Sequence, residues 1–371
     1  MANTTGNSSM RAVLYQKELF KDREDKLYFQ SNGMMGPDEN NIVQVKSDLK
    51  KDKGDTVTFA MTTKLNAAAV TGDEELEGNE ESISSYSGTV VINQARFAVR
   101  LAGRYDEQRV AYSMREDAKN KLSIRVNEFL ERQIFMKLAG VYTTTLTDVA
   151  GNVYSADARF GATPNPIPTA DEAAGYGTRY VCAKSTGIDA IADTDILSPS
   201  LITRAKVKAQ VTSGGVPRIA PLKIKGKEFW AMFMHPWQAA DLKTASSSIW
   251  AQAQRDAQMR GDDNPIFTGA LGIWDGVVLH EHEYVATAQS SAAFGNGGTA
   301  CNARVFRSCL VGCQAVTMAE CANSMKMVEK EFDYENKVGY AVNFIGGFQK
   351  PQFNSVDYAV VTVDTGATSL A

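Results

Sequence analysis

The sequence predicts an α+β protein, and three features carry that prediction. A stretch of strong helix formers without Gly or Pro runs from Asp106 to Leu138, long enough to make a single rod. Two runs with strand-like alternation precede it, Thr56 to Leu65 and Thr89 to Leu101. From Ile219 onward, strand-like segments alternate with short helical ones, the pattern of a mixed α/β region.

Residues 1–54 are rich in Ser, Asn, Gly and Asp and carry the turn signal SNGMMGPDEN; their helical fragment is a charged one around Tyr15 to Phe29. Such weak apolar patterning supports no separate core, so this segment is expected to be an arm that is disordered or lies on another surface. In the first alternating run Val57, Phe59 and Met61 share a face, and in the second Val91, Ala95, Phe97, Val99 and Leu101 do. Between the runs, TGDEELEGNEES puts Asp73, Glu74, Glu75, Glu77, Glu80 and Glu81 within nine positions. Like charges this dense resist burial, so the segment reads as a solvated tip unless basic groups meet it. The expectation is a long two-stranded ribbon, marginal in isolation, that lies on another copy of the chain or belongs to a larger internal sheet. Phe59 and Phe97 on its strands and Asp73, Glu74, Glu75 and Glu77 at its tip are the candidate inter-subunit contacts.

In the predicted rod, Val110, Met114, Ala118, Leu122, Val126, Leu130, Ile134 and Leu138 form an i, i+4 ladder. Each step precesses by roughly 40°, so the buried stripe winds round the helix and successive turns meet different neighbours. At ~1.5 Å per residue the rod is about 50 Å long and is expected to act as a spine, with Met114, Leu122, Val126 and Leu130 as its packing residues. An ordinary amphipathic core helix or a coiled-coil arm has the same periodicity.

Val141 to Tyr180 is turn-rich and is expected to wrap the surface. A helix over Pro199 to Val211 opens at Ser198 or Ser200 and closes at SGG. LKIKGKEFWAMFMH then reads as one strand, Trp237 to Lys243 and Ser248 to Met259 as helices, and Val277 to Val285 and Arg304 to Leu310 as strands. Cys313 to Ala319 reads as a helix, and Lys337 to Ile345 and Asp357 to Val363 as strands that return towards the rod.

Composition narrows the function classes. No apolar run approaches the ~18 residues a membrane span needs, and MANTTGNSSMRAV lacks the apolar stretch of a secretory signal. A net charge of −4 argues against a surface built to grip nucleic acid, though not against a protein that encloses it. Five cysteines, an odd number without framework spacing, fit free thiols in a reducing cytosol. His280 and His282 in LHEHEY share a strand face and could hold a metal, but no HExxH or Cys/His cluster accompanies them, so a metal-dependent hydrolase is a remote alternative. Cys309 and Cys313 are four apart and form no CxxC; small buried residues are the default. There is no GxSxG elbow, no phosphate-binding loop and no strand-anchored GxGxxG, so no catalytic residue, enzyme activity or cofactor is expected.

The ordered set GDTVTFAMTTKL, VTGDEELEGNEESISSYSGTVVINQARFAVRLAG, YDEQRVAYSMREDAKNKLSIRVNEFLERQIFMKLAG, FMHPWQAADLK, NPIFTGALGIWDGVVLHEHE, VFRSCLVGCQAV and EFDYENKVGYAVNFIGGFQKPQF spans about Gly54 to Phe353. In that order it resembles the major capsid proteins of tailed bacteriophages with the Hong Kong 97-like fold, and within them the coat proteins of short-tailed phages. The resemblance implies an N-terminal arm (1–54), an extended E-loop (55–103), a peripheral domain holding the spine helix (104–218 with a return over 327–371), and an axial domain (219–326). It implies a homo-oligomer of hexamers and pentamers that self-assembles in the host cytoplasm into an icosahedral virion head around double-stranded DNA. A portal protein, and in some heads a decoration protein, would be partners; no membrane is involved. Because the chain starts at Met1 directly with the arm, a separate scaffolding protein is expected. Lys64 lies on the E-loop, but nothing identifies a partner for covalent cross-linking. A nanocompartment shell of the encapsulin type shares the same spine and E-loop and is the alternative.

Overall fold

The computed structural model describes residues 27–47, 54–62, 65, 68–73, 75–83, 85–109, 113–140, 145–147, 153–155, 179–184, 187–211, 217–224, 226–245, 270–290, 300–353 and 356–368. The Ser248–Met259 helix, Lys64, Val110 and Glu74 therefore lie outside the described residues, as does most of the Val141–Tyr180 segment.

The rod is shorter than its composition suggests. The helix spans Met114–Ala139, about 39 Å at ~1.5 Å per residue, and a separate short helix covers Arg104–Arg109. The start is set by Ser113, whose extended backbone breaks the helical path and whose hydroxyl accepts the Glu116 N–H at 3.4 Å. Ser113-Met114-Arg115-Glu116 has the S-x-x-E spacing of a capping box, a local signal buried inside an otherwise unbroken run of helix formers. The end comes at the first glycine after the run: Gly140 takes a left-handed conformation (φ 63°, ψ 43°) and its N–H reaches back to the Lys137 carbonyl at 3.2 Å. Ala118, Leu122, Val126, Leu130, Ile134 and Leu138 are all buried, and Met114 is half-buried.

A five-stranded sheet packs against this helix, in the order Met35–Gly36, Val43–Lys46, Val316–Phe332, Lys337–Gln349, Asn93–Arg100. Its centre is a long hairpin, Val316–Phe332 against Lys337–Gln349, closed by Asp333, Tyr334 and Glu335, all at positive φ. The helix expected over Cys313–Ala319 is thus the start of a strand: Thr317 and Ala319 pair with Gln349 and Gly347 on one side and with Gln44 and Lys46 on the other. A domain boundary at 326/327 falls within this one strand. Residues 27–46 are part of the core instead of a free arm, with Leu27, Phe29, Met34, Ile42 and Val43 buried and Val43–Lys46 added as a parallel strand.

The second sheet has eight strands. Its main path runs Ala270–Trp274, Val277–Glu281, Lys227–Met234, Ala300–Val311, Val360–Thr365, Tyr180–Cys182; Leu222–Ile224 and Thr287–Ser290 pair alongside. LKIKGKEFWAMFMH is two antiparallel strands, because Gly226 at φ 79° turns the chain between Ile224 and Lys227. Tyr180–Cys182 and Val360–Thr365 join strands from 222–311 in this sheet, so the peripheral and axial segments read from the sequence share it. The Pro199–Gln210 helix, with Ser198 as N-cap residue and Pro at its start, and the Pro236–Ala245 helix sit as expected. Arg307, opposite Asp364 on the neighbouring strand, binds its carboxylate through Nε at 2.6 Å and reaches the Ala139 carbonyl at 3.3 Å. One fully buried guanidinium therefore ties the sheet to the free carbonyls at the end of the long helix.

Candidate functional site

The ribbon exists, with different strands from those expected. Thr56–Thr62 pairs antiparallel with Ser85–Val91, from Thr56 opposite Val91 to Thr62 opposite Ser85. The predicted second strand, Thr89 to Leu101, divides at Ile92: its first part belongs to the ribbon and its second, Asn93–Arg100, pairs with Lys337–Gln349 in the five-stranded sheet. The burial parity changes there, from even-numbered Val90 to odd-numbered Ala95, so the chain re-aims its side chains where it leaves the ribbon.

This corrects the role read for Phe97. Its ring lies edge-on to Phe129 of the long helix at 5.3 Å, with the Arg125 guanidinium 5.9 Å from its centroid. The partner that the ribbon reading required from another subunit is supplied by the chain's own helix. Phe59 does sit on the ribbon, half-buried, directly opposite Gly88. A Cβ at Gly88 would lie 2.3 Å from the Phe59 ring, so the glycine gives the aromatic its bed.

At its base the ribbon is fixed. Val57 and Val90 are buried together with Ala319 of the long hairpin, with Phe59 and Ile92 packed beside them. Gly347 brings the two backbones together: a Cβ there would meet the Val91 carbonyl oxygen at 2.2 Å. Away from the base no described residue of the ribbon is buried. Leu65, Leu76 and Ile83 are 57%, 64% and 66% exposed, an unusual display for large apolar side chains at one end of a hairpin. Asp73, Glu75 and Glu77 are exposed beside them, and Glu80 accepts the Gly78 N–H at 2.7 Å.

The helix residues Leu122, Val126 and Leu130 form the core that the ribbon lacks. Next to this ladder runs a second one, Ser123, Asn127 and Glu131, also buried. Glu131 receives the Tyr28 N–H at 2.6 Å, and burial raises its pKa. The hydroxyl of Tyr28 meets His280 Nδ1 at 3.0 Å. His282 stacks on Phe135 at 4.5 Å, accepts the Tyr284 N–H at Nδ1 (3.1 Å), and stands 3.7 Å from Glu131. Burial lowers its pKa to about 4, so it is neutral at physiological pH. The two histidines thus clamp Tyr28 between the helix and the sheet; among the described residues no group of three or more His, Cys, Asp or Glu could hold a metal. Cys309 and Cys313 are buried, and burial pushes their thiols up to about 12 and about 11, which makes them poor nucleophiles. No helix among the described residues is long and apolar enough to cross a membrane.

The site that stands out is a mechanical one: a thin, base-anchored ribbon with an apolar and acidic free end, carried by a helix-backed sheet. Comparison with known proteins agrees along the whole chain. The profile of the phage capsid protein family matches residues 3–369. The chain is 29% identical over 348 residues to the major capsid protein of Pseudomonas phage KPP25, covering 91% of this chain and 90% of that one. Among solved structures it is similar to the capsid of Ralstonia phage GP4 (27% identity, TM-score 0.79, covering 94% and 93%) and to the capsid asymmetric unit of Cyanophage Pam1 (23% identity, TM-score 0.70, covering 92% and 93%). The fold is the Hong Kong 97-like α+β capsid fold, and a match that runs from residue 3 to residue 369 shows that the chain belongs to the phage capsid protein family.

Proposed function

We propose that this chain is the major coat subunit of a phage head, a structural protein whose copies self-assemble as hexamers and pentamers of an icosahedral shell around double-stranded DNA. The ribbon carries the reading. Its free end exposes Leu65, Leu76 and Ile83, and a two-stranded element with that surface gains its burial only by lying on another molecule. In these terms residues 55–92 act as the E-loop, the Met114–Ala139 helix as the spine, and Phe59, Asp73, Glu74, Glu75 and Glu77 as inter-subunit contacts. Phe97 moves from that set to the subunit's own core. Scaffolding and portal proteins are the expected partners in forming such a head. Modest contacts repeated in every copy of a closed shell add up, so each can be weak in the isolated pair.

Electron microscopy of the purified chain, with nucleic-acid content measured on the same particles, tests this reading. Closed shells are expected, lost when Leu76 and Ile83 are both changed to Asp while the subunit stays folded. Wild-type shells from that double variant would remove the ribbon from assembly; small cages enclosing protein cargo would point to a nanocompartment.

A further inference from the structure

The outward face of the five-stranded sheet is basic. On its three long strands alternate residues pack towards the helix, with Met327, Tyr340, Val342 and Ala95 buried. The residues between them point the other way. Register aligns these in rows: Lys326, Asn343 and Arg96; then Val328, Ala341 and Ala98; then Lys330, Gly339 and Arg100. The four cations are exposed and frame a small apolar centre, and no carboxylate occupies any outward position of these rows. Strand geometry makes the frame roughly 14 Å long and about 10 Å wide. Arg96 is braced by Asn343 (Nε to Oδ1, 3.3 Å), while Arg100 and Lys330 lie over the Phe332 ring at 4.5 and 5.0 Å.

We propose that this face receives the acidic ribbon tip of a second copy of the chain. The inference rests on the reading that the ribbon lies on a neighbour, and names where it lands. Among the described residues of the tip five exposed carboxylates, Asp73, Glu75, Glu77, Glu80 and Glu81, would meet four cations. Leu76, flanked by Glu75 and Glu77 and 64% exposed, supplies an apolar group for the Val328–Ala341–Ala98 centre. A phosphate backbone would find the cations but has nothing to place on that centre. Within one chain the described residues of the tip are exposed, so the pairing is between copies. Contacts of this kind are screened by salt, which makes assembly through them sensitive to ionic strength.

The test is a charge swap on full-length protein, with folding checked by circular dichroism and shells counted by electron microscopy and sedimentation. One variant carries Glu75→Lys and Glu77→Lys, a second carries Lys326→Glu and Lys330→Glu, and a third carries all four. Each half-swap is expected to cut shell yield at least tenfold at low salt, and the full swap to restore most of it. A lost yield that the full swap does not restore would overturn the pairing. A defective tip variant beside a normal sheet variant would overturn it too while leaving ribbon docking intact, since the tip would then land elsewhere. Normal assembly of both half-swaps would mean that the tip is a solvated loop and that ribbon docking does not depend on it. Sheet-variant shells that form normally but package less DNA would assign the basic face to nucleic acid and overturn the proposal.

Discussion

Two antiparallel hairpins in this molecule are written in the same alternating code and end in opposite situations. Along Lys337–Gln349 every second residue is buried, because the Met114–Ala139 helix covers that side of the sheet. Along Thr56–Thr62 and Ser85–Val91 the same alternation gives only half-buried positions beyond Val57 and Val90. The difference teaches that alternation specifies a strand and its two faces but not a cover. A hairpin under a helix is finished when the subunit folds; one that projects past it keeps its apolar side chains exposed, and a second molecule is the cover proposed for it.

Breaking the covered side has the largest expected effect. Leu122→Pro removes a backbone donor mid-helix and clashes with the preceding turn, costing ~3 kcal/mol or more before the lost burial is added. No folded subunit should be recovered, as read by circular dichroism and soluble yield; wild-type thermal stability would show that the helix is not the cover. Arg307→Ala leaves the Asp364 carboxylate buried without its main partner and unties the sheet from the helix end, for about 3–5 kcal/mol. Denaturant midpoints at unchanged slope would measure it.

The two phenylalanines sharpen the comparison. Phe97→Ala should lower subunit stability by ~2 kcal/mol through lost contact with Phe129, whereas Phe59→Ala should cost under about 1 kcal/mol in the subunit but reduce shell yield. Equal losses of subunit stability would erase the distinction between the regions.

A pH series probes the covered side alone. The folded pKa of His282, about 4, lies below the ordinary value of 6.5, so between those values the unfolded chain binds more protons. The stability is intact above about pH 6.5 and drains away as pH falls towards 4, by on the order of 2 kcal/mol at pH 5. The raised pKa of Glu131 acts in the opposite sense and blunts the total. His282→Phe keeps the stack on Phe135 and should flatten the profile between pH 7 and 5; an unchanged slope would assign it to other groups. The smallest effect belongs to the tip. Glu74, Glu75 and Glu77 changed to Gln should leave the midpoint within ~0.5 kcal/mol, yet weaken assembly at low salt and remove much of its salt dependence.

Legibility followed the same divide. The ladder from Ala118 to Leu138 is legible in the sequence because burial along a helix is local and periodic. The helix start is not legible, because Ser113 and Glu116 act through one capping bond inside a long run without Gly or Pro. Cys313 to Ala319 is ambiguous in the sequence because a short apolar run has no period of its own, and the pairing of its strand with Val43–Lys46 comes from far away in the chain. The ribbon and its acidic tip are visible as pattern and charge, but the place of Phe97 is not, because nothing local marks Ile92 as the point where one hairpin ends and another pairing begins. The basic sheet face could not be seen at all: Arg96 and Lys326 share a row only once the register is known.

Gly347 gives the ribbon a different significance when it is viewed as a lever. The ribbon is held at its base, by the Val57, Val90 and Ala319 cluster and where the Val91 carbonyl rests on a position too close for any Cβ. Its paired strands extend roughly 24 Å from there at ~3.4 Å per residue. A tilt of only ~10° at that pivot displaces the far end of the paired strands by about 4 Å, close to the ~4.8 Å between neighbouring strands, so in the docking proposed above it would shift the tip by nearly one strand of the receiving sheet. Bearing tolerance, more than contact strength, is what such a joint would control: under the proposed docking, a single added methyl group at position 347 would leave the charge of the tip unchanged and misdirect it.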